Sequence, residues 1–254
     1  MPADLVKSLK EKELFQEKVW GTLPNRPLHI TVRPISVNRC FLNGEATINC
    51  VSIILDFGDR TTEFPLTEII PNINKPCPAI ICINDSKEAS QGVPNIEEAV
   101  RHGIAVFSFF YKDISENNGN LKSGISAFIA SSRRKKLSPG KLIVWAWAAL
   151  RVLECASQLD GIDKNSICVA GQGILGTAAM LAGVLDKRFK LIIAKDPLMA
   201  ARDEHPHLFC PAFLREKQTS DIYKELISRC GERLVSSDID YHKSLSLDLD
   251  FIKK

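Results

Sequence analysis

The residues best suited to chemistry lie in one short stretch, Val169-Ala170-Gly171-Gln172-Gly173-Ile174-Leu175-Gly176. An apolar run precedes it and an apolar helical pattern follows, so it reads as the turn between a strand and a helix. Two chemistries use such a turn. Gly171, Gly173 and Gly176 fit the dinucleotide fingerprint G-x-G-x-x-G, which seats a pyrophosphate on a helix N-terminus. Asp196, about 20 residues beyond the last glycine, then stands where an acid meets the ribose. The other chemistry is covalent: a nucleophile elbow needs small residues on either side of an attacking side chain. Gly171 and Gly176 supply them, with Gln172 and Ile174 as immediate neighbours, but the attacking position is Gly173, which has no side chain.

Other reactive side chains carry plainer readings. Ser166 and Cys168 lie within the strand before the turn and read as structural. His205-Pro206-His207 reads as a loop, since two histidines around a proline lack further metal ligands nearby; no metal site is expected. Asp196 has an alternative role as the cap of the following turn, His102 reads as a cation at a helix C-terminus, and His29 has no assigned role. Trp145 and Trp147 are two residues apart on a helix and point about 200° apart, so one packs in the core and the other beneath a loop; stacking on a sugar is the alternative.

The elements that must hold these residues alternate. Ala79–Ile83, Ile104–Phe110, Ser166–Ala170 and Phe189–Ala194 are short, wholly apolar runs, the mark of strands buried on both faces. Helical patterns separate them at 95–102, with Asn95 as N-cap, at 141–159 and at 175–185, so a parallel sheet with helices on both faces is expected. Before Pro78 the pattern differs: a helix over 4–18, strands over 28–33 and 46–57, and a turn at 56–61 into a hairpin. Residues 112–140 read as a long polar loop, and 221–229 and 247–254 as final helices; no strand is expected after Asp196. One domain over 1–254 is expected, with an antiparallel part to about 75 and a parallel core from 76.

Composition narrows the class. The chain has 254 residues, 45% hydrophobic and 25% charged, which excludes collagen, coiled coil and disorder. Its 33 basic against 30 acidic residues give no argument for a nucleic-acid partner, and Arg133-Arg134-Lys135-Lys136 reads as a solvated loop. The longest apolar run, Leu142 to Leu150, falls well short of the ~20 residues a membrane span requires. The charged N-terminus lacks an apolar signal region, and the eight cysteines include no CxxC pair; both features point to a cytoplasmic protein with reduced thiols.

Longer stretches carry a resemblance. They are Glu98 to Asp113, Trp145-Ala-Trp147-Ala-Ala-Leu-Arg-Val152, Ile162-Asp163 to Gly171, Leu181 to Asp196, and His205-Pro-His-Leu-Phe-Cys210-Pro-Ala-Phe213. Together they resemble the glucuronoyl-esterase and acetyl-xylan-esterase-like family of α/β hydrolases over roughly residues 60 to 215. The resemblance implies an α/β-hydrolase-like three-layer sandwich: a mostly parallel sheet, an antiparallel N-terminal edge and a shortened C-terminal part. The family's elbow reads approximately Gly-His-Ser-Arg-Leu-Gly, so its serine falls on Gly173 and its oxyanion-holding arginine on Ile174. Its acid falls on Asp196, with the supporting Ser-Gly-x-Gly-Gly replaced by Pro197-Leu-Met-Ala-Ala201, and its late histidine has His242 as candidate. The implied protein is an esterase-like scaffold without its serine, impaired or inactive, with no cofactor and a sugar ester or related small molecule as ligand. Three alternatives remain: a non-standard ester hydrolase using Asp196 and His242, a dinucleotide-binding protein, and a scaffold for a protein partner.

Overall fold

The apolar runs after Pro78 become the central strands of one eight-stranded mixed sheet. The computed structural model describes residues 18–88, 95–118, 120, 125–126, 138–197, 204–211, 213–215 and 222–237. The basic run 133–136, the final helix 247–254 and all but Lys18 of the opening helix lie outside them.

The strands are β1 (His29–Phe41), β2 (Ala46–Asp56), β3 (Thr61–Pro71), β4 (Cys77–Asn84), β5 (Ala105–Phe110), β6 (Ile162–Gln172), β7 (Phe189–Lys195) and β8 (Leu234–Ser237). Their order is β1-β2-β3-β5-β4-β6-β7-β8, antiparallel from β1 to β5 and parallel from β5 to β8. The longer helices are α1 (Ile96–Arg101), α2 (Lys141–Ala156), α3 (Ile174–Leu185) and α4 (Ile222–Cys230). Asn95 caps α1 as its sequence predicts, its side-chain oxygen accepting from the amides of Glu97 and Glu98.

Strand residues alternate between two cores, so helices cover both faces of the sheet. Ile81, Ile83, Phe107 and Val169 pack with α2, α3 and Trp20. Ile80, Cys82, Val106 and Cys168 pack with Ile96, Ala99 and Val100 of α1. This is the three-layer arrangement, and α2 is buried along its whole length. Both tryptophans of α2 are fully buried, which removes them as sugar-stacking platforms. Trp145 lies beneath the segment after β5, where its indole N–H donates to the Ser115 carbonyl at 2.9 Å and Tyr111 meets it edge-on.

Two expectations need correction. β1 runs to Phe41 instead of stopping near Arg33. Pro34 lowers the strand signal there, but β1 is an edge strand, where a missing ladder donor is tolerated. Its register slips between Pro34 and Ser36 and again between Asn38 and Phe41, and nearly all its residues are exposed. The second correction is β8, a strand after Asp196 where none was expected. With four residues it is too short to show a period, and it is held by parallel pairing of Leu234 to Ser237 with Ile192 to Lys195.

Candidate functional site

β4 connects to β5 on one side and has β6 on the other, so the chain order reverses around it. In open α/β sheets the crevice at the carboxyl ends of strands beside such a reversal is where ligands bind. The glycine-rich stretch sits at that position, where β6 ends at Gln172 and α3 begins at Ile174.

Gly173 alone makes the turn, with φ +56° and ψ −126°, a conformation that strains any residue bearing a Cβ. Its amide donates to the Lys195 carbonyl at 2.9 Å, and its carbonyl accepts from the Thr177 amide at 3.3 Å. The three glycines have different reasons for being glycine. A Cβ on Gly171 would come within 2.3 Å of the Leu175 carbonyl oxygen, inside van der Waals contact. A Cβ on Gly176 would crowd the Gly171 and Lys195 carbonyl oxygens at 3.1 and 3.2 Å. A Cβ on Gly173 would meet nothing within 4 Å. Packing therefore dictates Gly171 and Gly176, whereas at Gly173 there is room for a side chain.

Asp196 follows directly on β7, so the bond from Gly173 to Lys195 brings it beside the elbow. It is exposed and has φ +42°, one of three non-glycine residues with positive φ among those described. Backbone strain of this kind clusters at functional sites. Gln172 is exposed and Ile174 half-buried beside it. His242 lies outside the described residues. The dinucleotide reading meets an obstacle here: the Gly173 amide, which would face a pyrophosphate, is already bonded to Lys195.

Strand register sets the rest of the crest. Asn84 pairs with Phe110, Ile83 with Gly171 and Gln172 with Lys195, so these strand ends stand side by side. Phe110 is two strands from the elbow, about 10 Å. The ammonium groups of Lys87 and Lys112 each lie 5.8 Å from the centre of its ring. The buried Asn84 side-chain amide donates to Ser108 Oγ at 3.3 Å.

Sequence reasoning missed Lys141. It opens α2 immediately before the apolar run Leu142 to Leu150, and it is fully buried. Its Nζ donates to Ser115 Oγ and, at 2.6 Å, to the Asn120 carbonyl. Burial pushes its pKa down from 10.5 to about 8, with Glu116 acting the other way. The unfolded chain thus holds a proton that the folded chain gives up between pH 8 and 10.5. The Lys141 contribution to stability is therefore lowest below pH 8 and rises through that window, against the falling contribution of the buried Cys155 and Cys168 thiols, which burial pushes up. The difference in urea midpoint between the natural chain and Lys141→Met should shift in favour of the natural chain from pH 7.5 through 9 to 10; a pH-independent difference would place the titration elsewhere.

The remaining candidates are dispersed. Ser166 donates to Asp163 Oδ2 at 2.7 Å in the first half of β6, away from the elbow, and burial pushes the Cys168 thiol up to about 12. His102 caps the end of α1, its Nδ1 2.9 Å from the Glu98 carbonyl. His205 precedes the 3-10 turn Pro206–Leu208 and His207 lies within it, with His207 Nε2 2.6 Å from Asn117 Oδ1. No group of three or more potential metal ligands assembles among the described residues, and no helix among them is long and apolar enough to cross a membrane.

Comparison with known proteins adds to this geometry. The family model described as "Glucuronyl esterase, fungi" matches residues 53–199. The 4-O-methyl-glucuronoyl methylesterases of Hypocrea jecorina and Podospora anserina are 28% and 29% identical over 189 and 191 residues. Each alignment covers 72% of this chain but only 36% and 35% of the relative, so the chain spans little more than a third of the curated proteins it matches. Among solved structures, a glucuronoyl esterase from Solibacter usitatus superposes with a TM-score of 0.78 at 21% identity, over 93% of this chain and 75% of that one. The glucuronoyl esterase catalytic domain from Hypocrea jecorina gives 0.67 at 20% identity, over 94% and 69%.

Proposed function

The chain belongs to the glucuronyl esterase family described from fungi, and from that premise we propose that it binds a sugar ester, or a related small molecule, without hydrolysing it at a useful rate. The carrying observation is Gly173: the apex of a strained elbow with space for a side chain and no side chain in it. Without a nucleophile no acyl-enzyme forms. Removing one member of a catalytic triad leaves at most the background from binding and the oxyanion hole, about 10³–10⁴ over water in serine proteases. Ile174 offers no charge to stabilise an oxyanion, which lowers that background further.

The crest supports a ligand of this class. Phe110 offers an aromatic surface next to two ammonium groups, and Lys195 and Gln172 stand beside the elbow. Asp196 keeps the place of the acid, and its strained backbone supports a retained site over a simple turn cap. An active hydrolase using Asp196 and His242 is the competing reading. Incubation with aryl acetates and with methyl esters of glucuronate separates the two. The expected outcome is no turnover above a heat-denatured control, with protection of the fold by the methyl ester in a thermal shift. Turnover abolished by Asp196→Ala would establish the hydrolase instead.

A further inference from the structure

At the opposite end of the parallel strands lies a cavity of about 930 Å³, between the start of β1 and the last turn of α2. Arg188 precedes β7 and Asp196 follows it, so the cavity is about 25 Å along the strand from the elbow. Its walls include Arg26, His29, Thr31, Glu154, Gln158 and Arg188.

The charges around it are unusual for a surface depression. Arg26 and Arg151 converge on one oxygen of Glu154, at 2.7 and 3.4 Å. Arg188 grips Asp186 with Nε at 3.1 Å from both carboxylate oxygens and Nη2 at 2.7 Å from Oδ2. Three guanidinium groups thus face two carboxylates, leaving one positive charge unmatched. Arg151 is 5% exposed, lies over the Trp147 ring, and its Nε and Nη1 have no hydrogen-bond partner among the described residues. A buried cation with unused donors is costly to keep unless something nearby compensates it. Arg26 and Arg188 retain 72% and 49% of their side-chain exposure, so their outer donors are open to a ligand. Thr31, Ser157 and Gln158 add neutral polar groups to the rim.

We propose that this cavity is a second ligand site, distinct from the elbow, which takes an oxyanion through Arg26 and Arg188 with Arg151 supplying charge from behind Glu154. A sugar carboxylate and a phosphate share that chemistry, and the polar rim suits a hydroxylated ligand of either kind. The site does not depend on the function proposed for the elbow.

The test is thermal unfolding and calorimetric titration of the full chain with glucuronate and with inorganic phosphate, against glucose and sodium chloride at matched ionic strength. At saturating ligand at least one anion should raise Tm by about 2 °C or more, and which one does so identifies the source of the charge. The Arg26→Gln/Arg188→Gln variant, altered only at exposed side chains, should lose that shift and keep its far-ultraviolet circular dichroism. Gly173→Ser should leave it in place. No shift beyond the glucose and salt controls would overturn the proposal. So would a shift that survives in the double arginine variant, which would assign the anion to another part of the molecule.

Discussion

The variant Gly173→Ser/Ile174→Arg is expected to hydrolyse aryl acetates at least about 10²-fold faster than the natural chain, the low end of what positioned acid–base groups contribute. It should also carry an acetyl group on the peptide containing residue 173, detectable by mass spectrometry. The physical basis is the elbow itself. Its strand-to-helix turn is intact, and a Cβ at 173 would meet no atom within 4 Å. A hydroxyl introduced there would stand at the carboxyl end of β6, where the backbone bonds to Lys195, the residue before Asp196. Asp196→Ala in the same background should remove the gain. An acetyl adduct without turnover would mean that the nucleophile is restored and the base is not. Neither adduct nor turnover would mean that the turn no longer supports attack. The serine should cost about 1–3 kcal/mol of stability, because φ at 173 is +56°.

The second large effect is on folding and falls two residues away. Gly171→Ala should cost at least about 3 kcal/mol, at the top of the range for overpacking and beyond it if the turn cannot open. The obstruction is the Leu175 carbonyl oxygen, 2.3 Å from the added carbon. Backbone within the first turn of a buried helix has nowhere to move. Gly173→Ala, with the same change in composition, should cost only the strain of its positive φ. Urea denaturation of the two variants measures the contrast. Equal losses would show that the turn opens to relieve the crowding at Gly171.

The contrast explains what could be read in the sequence. The strands of the parallel core were legible because burial on both faces demands unbroken apolar runs, as in Ile80-Ile81-Cys82-Ile83. The elbow was legible because Gly171 is required by contacts within about five residues and Gly176 in part by its approach to Gly171, with Lys195 adding a constraint from the next strand. β8 was not, since Leu234-Val235 owes its place to pairing with β7, far away in the chain. Nor was the length of β1, which depends on β2 supplying a partner across Pro34. Lys141 escaped notice for the converse reason: a lysine beginning a helix reads as solvated, and only the fold brings Ser115 and Asn120 over it. The arginine cavity joins residues 26, 151 and 188, a combination with no local signature.

The exposed first strand has a colloidal consequence. Thirteen residues at about 3.3 Å each present roughly 40 Å of sheet edge to other molecules in concentrated solution. Ile35 and Val37 are exposed along it, enough apolar surface to reward a second copy that pairs there. What opposes such stacking is the missing donor at Pro34, the two register slips that bend the edge, and the cations Arg33 and Arg39. The irregular residues of that one strand thus oppose edge-to-edge pairing, and a smoother, straighter version of it would offer a continuous ladder to a second copy.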